Sequence, residues 1–198
     1  MARIVAAVAL ALIGSAGCGE ADDTGSVPPA PRIGAGSRYR PPPAGSSARA
    51  GKPIGRLRCT PADLSRAGVH LEIFANRLDL VIPAGIGVAP PRVRKGAYVR
   101  GGRCSYPVRT LEPTGLIEVV EGTRVTLGEF FDVWGQSLST RRLLGFRARP
   151  GEQVDAFVNG VRWHGDPRAI PLNRHAAIVL EIGGYFPPTR RYVFPSDL

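Results

Sequence analysis

The residues able to do chemistry in this chain are few: three cysteines (Cys18, Cys59, Cys104), three histidines (His70, His164, His175) and a scatter of acids. The histidines stand singly, in no HxH or HExxH arrangement. Each therefore reads as a surface or turn residue before it reads as a metal ligand. No serine sits in a GxSxG elbow. Asp155, Asp166 and Glu181 are spread over separate strand and turn positions, and Asp166–Pro167 is itself a turn signal. The Gly101–Gly102 pair lacks the spacing of a phosphate loop. A nucleophile, a base and oxyanion donors cannot be assembled from these spacings. The expectation is a protein that is not an enzyme, with no cofactor and no metal ligands.

Cys18 closes the stretch "MARIVAAVALALIGSAGC", in which Arg3 precedes an apolar run over residues 4–14 and small residues lead into the thiol. That run is too short for the ~20 apolar residues of a bilayer-spanning helix, and it has the anatomy of a secretory signal. The stretch resembles the bacterial lipoprotein signal, the lipobox. The resemblance implies a signal peptide over 1–17, cleavage before Cys18, and lipid attachment at its thiol. Ser15 departs from the leucine usual at that place. Ordinary secretion with cleavage nearby, or an uncleaved anchor, are the alternatives. An exported chain with Cys18 acylated leaves Cys59 and Cys104 as an even pair in an oxidising compartment. A disulfide between them would close a loop worth about 4 kcal/mol by chain entropy. A redox pair or metal thiolates are the other possibilities, although no CxxC and no neighbouring histidine accompanies either cysteine.

Charge points the same way as the leader. Lysine and arginine outnumber acids by 26 to 16 in 198 residues, a formal net charge of +10. The two lysines are Lys52 and Lys95; every other cation is arginine. Such a surplus favours anionic partners, or else reflects an arginine-rich composition with no partner behind it. No basic run interleaved with aromatics suggests nucleic acid. The densest positive loop is "STRRLLGFRARP", whose Arg141, Arg142, Arg147 and Arg149 are candidates for an anionic contact, the alternative being a merely solvated loop.

The elements that would position these residues follow from periodicity. Residues 18–52 hold hardly any large apolar side chains and many Pro, Gly and Ser, so they read as a disordered, lipid-anchored linker. A single globular domain is expected over 53–198. "VHLEIFANRLDLVIP" (69–83) alternates as a hairpin or two short strands, and "GLIEVVEGTRVTL" (115–127) carries two strand-like runs around Glu121–Gly122. "QVDAFVNGVRW" (153–163) has Asn159–Gly160 between alternating apolar positions, a strong hairpin signal, and "AAIVLEIGG" (176–184) is a further strand. One helix is predicted over 126–138. Thr126 and Glu129 form a capping box, Val125 and Phe130 a hydrophobic staple, and Leu127, Phe131, Trp134 and Leu138 one apolar stripe. The fold class is α+β: a mostly antiparallel, twisted sheet of β-hairpins with one packed helix, resembling a β-grasp.

The phrases "VHLEIFANRLDLVIPAGIGV", "GLIEVVEGTRVTLGEFFDVWGQSLS" and "VDAFVNGVRWHGDPRAIPLNRHAAIVLEIG" together resemble a family of bacterial exported proteins of unknown activity. Members of that family carry a histidine-rich first strand and an H-T-H-D stretch, equipment that implies metal binding. This chain departs there: the first strand keeps only His70, Arg109 and Leu111 stand where histidines would, and Glu118 replaces another. The function expected is a membrane-anchored lipoprotein at the extracytoplasmic face, with a non-catalytic domain that binds an anionic wall polymer or an envelope protein. The alternative is a metal-handling protein using a residual site near His70.

Overall fold

The structure is a computed structural model and describes residues 50–184 and 192–198. The expectations for Cys18, the signal peptide and linker residues 18–49 lie outside the described residues.

β1 (Arg66–Ala75) sets the architecture. Its odd positions, Val69, Leu71, Ile73 and Ala75, enter the main core, while Phe74 on the even positions joins a second, smaller cluster. That is the period-2 alternation of a strand whose two faces are both covered. Asn76 and Arg77 both take positive φ, 52° and 65°, and turn the chain back into β2 (Leu78–Asp79). Two consecutive left-handed residues are what a two-residue hairpin with matched strand twist requires.

A loop region then runs through β3 (Val88–Ala89), β4 (Val93–Lys95), β5 (Tyr98–Gly101) and β6 (Cys104–Ser105), before β7 (Val108–Arg109) and β8 (Leu116–Val120) return to the main sheet. Helix α1 (Leu127–Trp134) follows, then a small sheet of β9 (Leu138–Ser139), β10 (Arg142–Leu143) and β11 (Phe146–Arg147). β12 (Asp155–Val158) and β13 (Val161–Arg162) form the hairpin expected at Asn159–Gly160, whose φ values are 52° and 77°. A 3-10 turn (Pro167–Ala169) leads to β14 (Ala177–Ile182).

The main sheet has the order β13-β12-β14-β1-β8-β7, with β2 also on β1. Its ladders are antiparallel except the central one: β1 and β14 run parallel from His70↔Ala177 to Ala75↔Ile182. The α+β class and the mostly antiparallel sheet hold, and the first and last strands form a parallel pair at its centre.

α1 packs on the face formed by Val69, Leu71, Ile117, Val119, Ile178 and Leu180. Its start is the capping box read from the sequence: Glu129 N–H donates to Thr126 Oγ1 (3.3 Å), and Thr126 N–H donates to Glu129 Oε2 (2.9 Å). Its end differs from the expectation. Gly135 adopts φ 75°, ψ 31° and stops the helix at Trp134, so Leu138 lies in β9 and reaches the same core from there. The second strand run expected over 123–127 is likewise replaced. Past Glu121–Gly122 the chain makes an isolated bridge, Thr126↔Pro171, and goes directly into the helix cap.

The helix is also buried more widely than one stripe, with Leu127, Gly128, Phe130, Phe131, Val133 and Trp134 all inside. Its outer side is covered by the Pro167–Ala169 turn. A Cβ on Gly128 would come within 2.9 Å of the Arg168 carbonyl oxygen, so glycine is what permits this approach. Arg168 Nη2 then clasps both oxygens of Asp132, at 2.9 and 2.7 Å. Phe130, Phe131 and Trp134 are wholly buried, and each such side chain contributes about 2–3 kcal/mol of transfer free energy.

Candidate functional site

The four arginines singled out from the sequence are gathered on the small sheet. Arg142 in β10 lies directly opposite Arg147 in β11, and Ser139 lies on Arg142's other side. Leu143 and Ala148 alternate inward into the core, which leaves Arg142, Arg147 and Arg149 outward and exposed. Arg141 is tied to the same edge: its Nη2 donates to the Arg149 carbonyl (3.3 Å), and Ala148 N–H donates to the Arg141 carbonyl (3.0 Å). Glu152 comes close but spends an oxygen on the Arg149 backbone N–H (3.3 Å). Among the described residues, none of the four guanidinium groups has a carboxylate within 4 Å. Like charges directly across a ladder destabilise it. This surface thus carries an electrostatic cost that an anion bridging Arg142 and Arg147 would remove.

The face of the main sheet opposite α1 carries polar groups beside the Phe74, Phe157 and Val179 cluster. Register places Arg109 of β7 against Glu118 of β8, and Arg109 Nε meets Glu118 Oε2 at 2.7 Å with both side chains largely buried. Arg66 donates to the carbonyls of Tyr106 (3.1 Å) and Pro107 (3.3 Å). Burial, then the neighbouring Arg109, lowers its pKa from the ordinary guanidinium value to about 10, so it remains charged at neutral pH.

His70 sits on this face, 6% exposed. Its Nε2 lies 3.2 Å from the Thr114 carbonyl oxygen, and the Tyr192 ring stacks on it at 3.7 Å. Burial pushes its pKa down to about 4, so the ring is neutral at pH 7 and the Nε2–H tautomer is the one that can donate to Thr114. Nδ1 then faces Glu72 Oε1 at 4.0 Å. His70, Glu72 and Asp79 line a cavity of about 220 Å³, where burial raises the Asp79 carboxyl above its ordinary value.

His175 Nε2 lies 2.6 Å from the Leu198 carbonyl oxygen, and its ring stacks on Phe194. His164 is exposed in the loop after β13. Asp155 pairs with Arg162 (2.8 Å), and Asp166 caps the 3-10 turn through the Arg168 N–H (2.9 Å). Glu181 is buried in β14 opposite Asp155. Among the described residues, no three His, Cys, Asp or Glu side chains form a group able to hold a metal.

Cys59 and Cys104 form a disulfide with Cα atoms 5.5 Å apart, joining the segment before β1 to β6. It is the pairing expected from the sequence. A groove of about 740 Å³ bordered by Arg56, Arg124 and Arg174 went unnoticed in the sequence. Two of its arginines are committed: Arg56 to Glu129 (2.6 Å) and the Arg124 carbonyl, and Arg174 to Glu121 (2.7 Å). The Arg109–Glu118 pair was also missed, because only the ladder register brings residues nine apart together. Comparison with protein-family models, curated proteins and solved structures finds no match to this chain.

Proposed function

We propose that this chain is a lipoprotein anchored through Cys18 at the extracytoplasmic face of a membrane. Its folded domain is non-catalytic and binds an anionic wall polymer or an acidic envelope protein through Arg141, Arg142, Arg147 and Arg149. The observation that carries this is the Arg142–Arg147 cross-strand pair, exposed and, among the described residues, without a carboxylate within 4 Å. Export is supported by the Cys59–Cys104 disulfide, a bond that persists in oxidising compartments. The non-catalytic reading is supported by the Arg109–Glu118 ion pair and by the engagement of Arg66 and His70 with backbone carbonyls of Tyr106, Pro107 and Thr114.

The β-grasp comparison belongs to the same proposal. Taking β1, β8, β12, β13 and β14 as strands one to five, their order is 2-1-5-3-4, with one and five parallel and the helix between two and three. This order supports the β-grasp reading. The resemblance to histidine-rich exported proteins is proposed alongside it. Arg109 and Glu118, two positions where that family has histidine, are partners across one ladder and form an ion pair here. The second reading, metal handling at His70, draws on Glu72 and Asp79 lining the same cavity. Tyr192 and Thr114 already occupy two sides of the imidazole.

Titration with poly(glycerol phosphate) tests the main reading. The variant with all four arginines changed to glutamine should lose about tenfold or more in affinity, since charge-assisted contacts to phosphate are among the strongest available. Equal binding by both proteins refutes it, and zinc binding abolished by His70→Gln favours the second reading. The intact mass of protein from its own membranes, beginning at an acylated Cys18, tests the anchor.

A further inference from the structure

A second basic surface lies in the loop region between β2 and β7. Residues 80–111 contain no Asp or Glu, yet hold Arg92, Arg94, Lys95, Arg100, Arg103 and Arg109. Within this stretch β4 and β5 pair only with each other. Val99 is the hairpin's inner anchor, 1% exposed, with its N–H donated to the Leu111 carbonyl (2.8 Å). Its base is tied by Arg92 Nε to the Val88 carbonyl (2.7 Å), by Arg103 N–H to the Ala89 carbonyl (3.0 Å), and by the disulfide at Cys104. Beyond that base, Arg94, Lys95, Tyr98 and Arg100 are all exposed.

Two apolar side chains stand out there. Val93 is 65% and Tyr98 47% exposed; Lys95 lies directly across from Tyr98, while Arg94, exposed at the hairpin's edge, lies across from Val99, and the register shifts between Val93 and Arg94. Arg94, Lys95 and Arg100 have no carboxylate within 4 Å among the described residues. A soluble polyanion would reward the cations and leave Val93 and Tyr98 in water. A bilayer surface rewards both: phosphates for the cations, and the headgroup–acyl boundary for the ring and the isopropyl group.

We propose that the β4–β5 hairpin rests on an anionic lipid surface, with Val93 and Tyr98 at the boundary and Arg94, Lys95 and Arg100 on lipid phosphates. This builds on the membrane placement proposed above and gives the domain a second contact besides the anchor. Each cation near such a surface contributes about fivefold in partitioning, so the three together contribute on the order of a hundredfold.

The test uses the acylated full chain carrying Tyr98→Trp, in vesicles of phosphatidylcholine alone and of phosphatidylcholine with an equal part of phosphatidylglycerol. Flotation on phosphatidylcholine reports the anchor by itself. The hairpin is reported by the emission of the introduced indole, taken as the difference from the parent chain, and by its quenching with brominated acyl chains. The expected result is blue-shifted, quenched emission with phosphatidylglycerol, lost when Arg94, Lys95 and Arg100 are changed to glutamine. Unshifted emission in both vesicles overturns the proposal. So does equal quenching without phosphatidylglycerol, or persistence of the effect in the triple variant. A response of the introduced indole to soluble poly(glycerol phosphate) as large as that to vesicles overturns it in favour of a polymer ligand. Failure to float on phosphatidylcholine, with the indole still quenched in phosphatidylglycerol vesicles, sinks the anchor and leaves the hairpin contact standing.

Discussion

Lowering the pH from 7 to 5 puts a direct load on His70. In the folded protein its pKa is depressed from 6.5 to about 4 by burial, against a smaller opposing effect of the hydrogen bond to the Thr114 carbonyl. The unfolded chain therefore takes up a proton through a window in which the folded chain does not. Stability contributed by the neutral ring is fully present above about pH 6.5 and is lost as the pH falls toward about 4. At pH 5 the unfolded histidine gains about 2 kcal/mol from protonation and the folded one about 0.1 kcal/mol. At pH 7 the unfolded gain is about 0.2 kcal/mol, so the expected loss between the two is about 2 kcal/mol. Asp79 acts with the opposite sign. Its raised folded pKa favours the folded state as acid is added, and it offsets part of the His70 loss at the low end of the range.

The assay is urea unfolding followed by fluorescence of buried Trp134, at several pH values, on the wild type and on His70→Gln. The wild type should lose about 2 kcal/mol more than the variant between pH 7 and 5, because every other titrating group is common to both. Proton NMR should place the His70 titration near 4. Equal slopes for the two proteins, or a titration near the ordinary 6.5, would refute the claim that this imidazole is held neutral by burial.

Three further outcomes are expected. Replacing Cys59 and Cys104 by alanine frees a loop of sequence separation 45, and the unfolding free energy from urea titration should fall by about 4 kcal/mol while the slope rises as the unlinked denatured chain expands; a loss under about 1 kcal/mol would contradict the entropic account. Glu118→Gln leaves Arg109 and Arg66 without their nearest counter-charge on a largely buried face, a loss of about 3 kcal/mol, and the double-mutant cycle with Arg109→Gln should show coupling above about 1 kcal/mol. Arg147→Glu turns the like-charge pair with Arg142 into an attractive one, so thermal unfolding should show a gain of about 0.2–1 kcal/mol while affinity for an anionic polymer drops; stabilisation without loss of binding would remove Arg147 from the proposed contact.

What the sequence disclosed depends on how far apart the interacting residues lie. The Thr126–Glu129 cap and the Asn159–Gly160 turn are legible because their hydrogen bonds close within a few residues. The central β1·β14 ladder joins His70 to Ala177, and hairpin signals speak only of neighbouring strands. The helix end was misjudged although its signal was present. Gly135 offers the left-handed stop, but the apolar stripe continues to Leu138, which packs in the same core from a strand. Thr123 to Leu127 carries a strand-like pattern, yet Thr126 has a better use as a cap, and one residue cannot serve both. The Arg141–Arg149 loop was visible as density of charge, and only register showed Arg142 facing Arg147.

The formal charge of +10 admits two explanations, and the pairing pattern separates the arginines to which each applies. Arg56, Arg109, Arg162, Arg168 and Arg174 each hold a carboxylate and Arg66 holds two carbonyls, so these cations fasten β7 to β8, β12 to β13, and α1 to the loops around it. An arginine-rich composition sets no spatial rule for the rest. Yet Arg94 and Arg100 share one acid-free hairpin, and Arg141, Arg142, Arg147 and Arg149 share one small sheet. Each cluster rides on a short strand pair whose inward residue, Val99 or Leu143, is fully buried, so the backbone beneath the charges is held in place. Cations that have no carboxylate partner among the described residues, are fixed and lie mutually close lose less entropy when an anion arrives and relieve repulsion as it does. Those properties suit a binding surface, and they are the physical reason for proposing a partner-facing role for these two clusters.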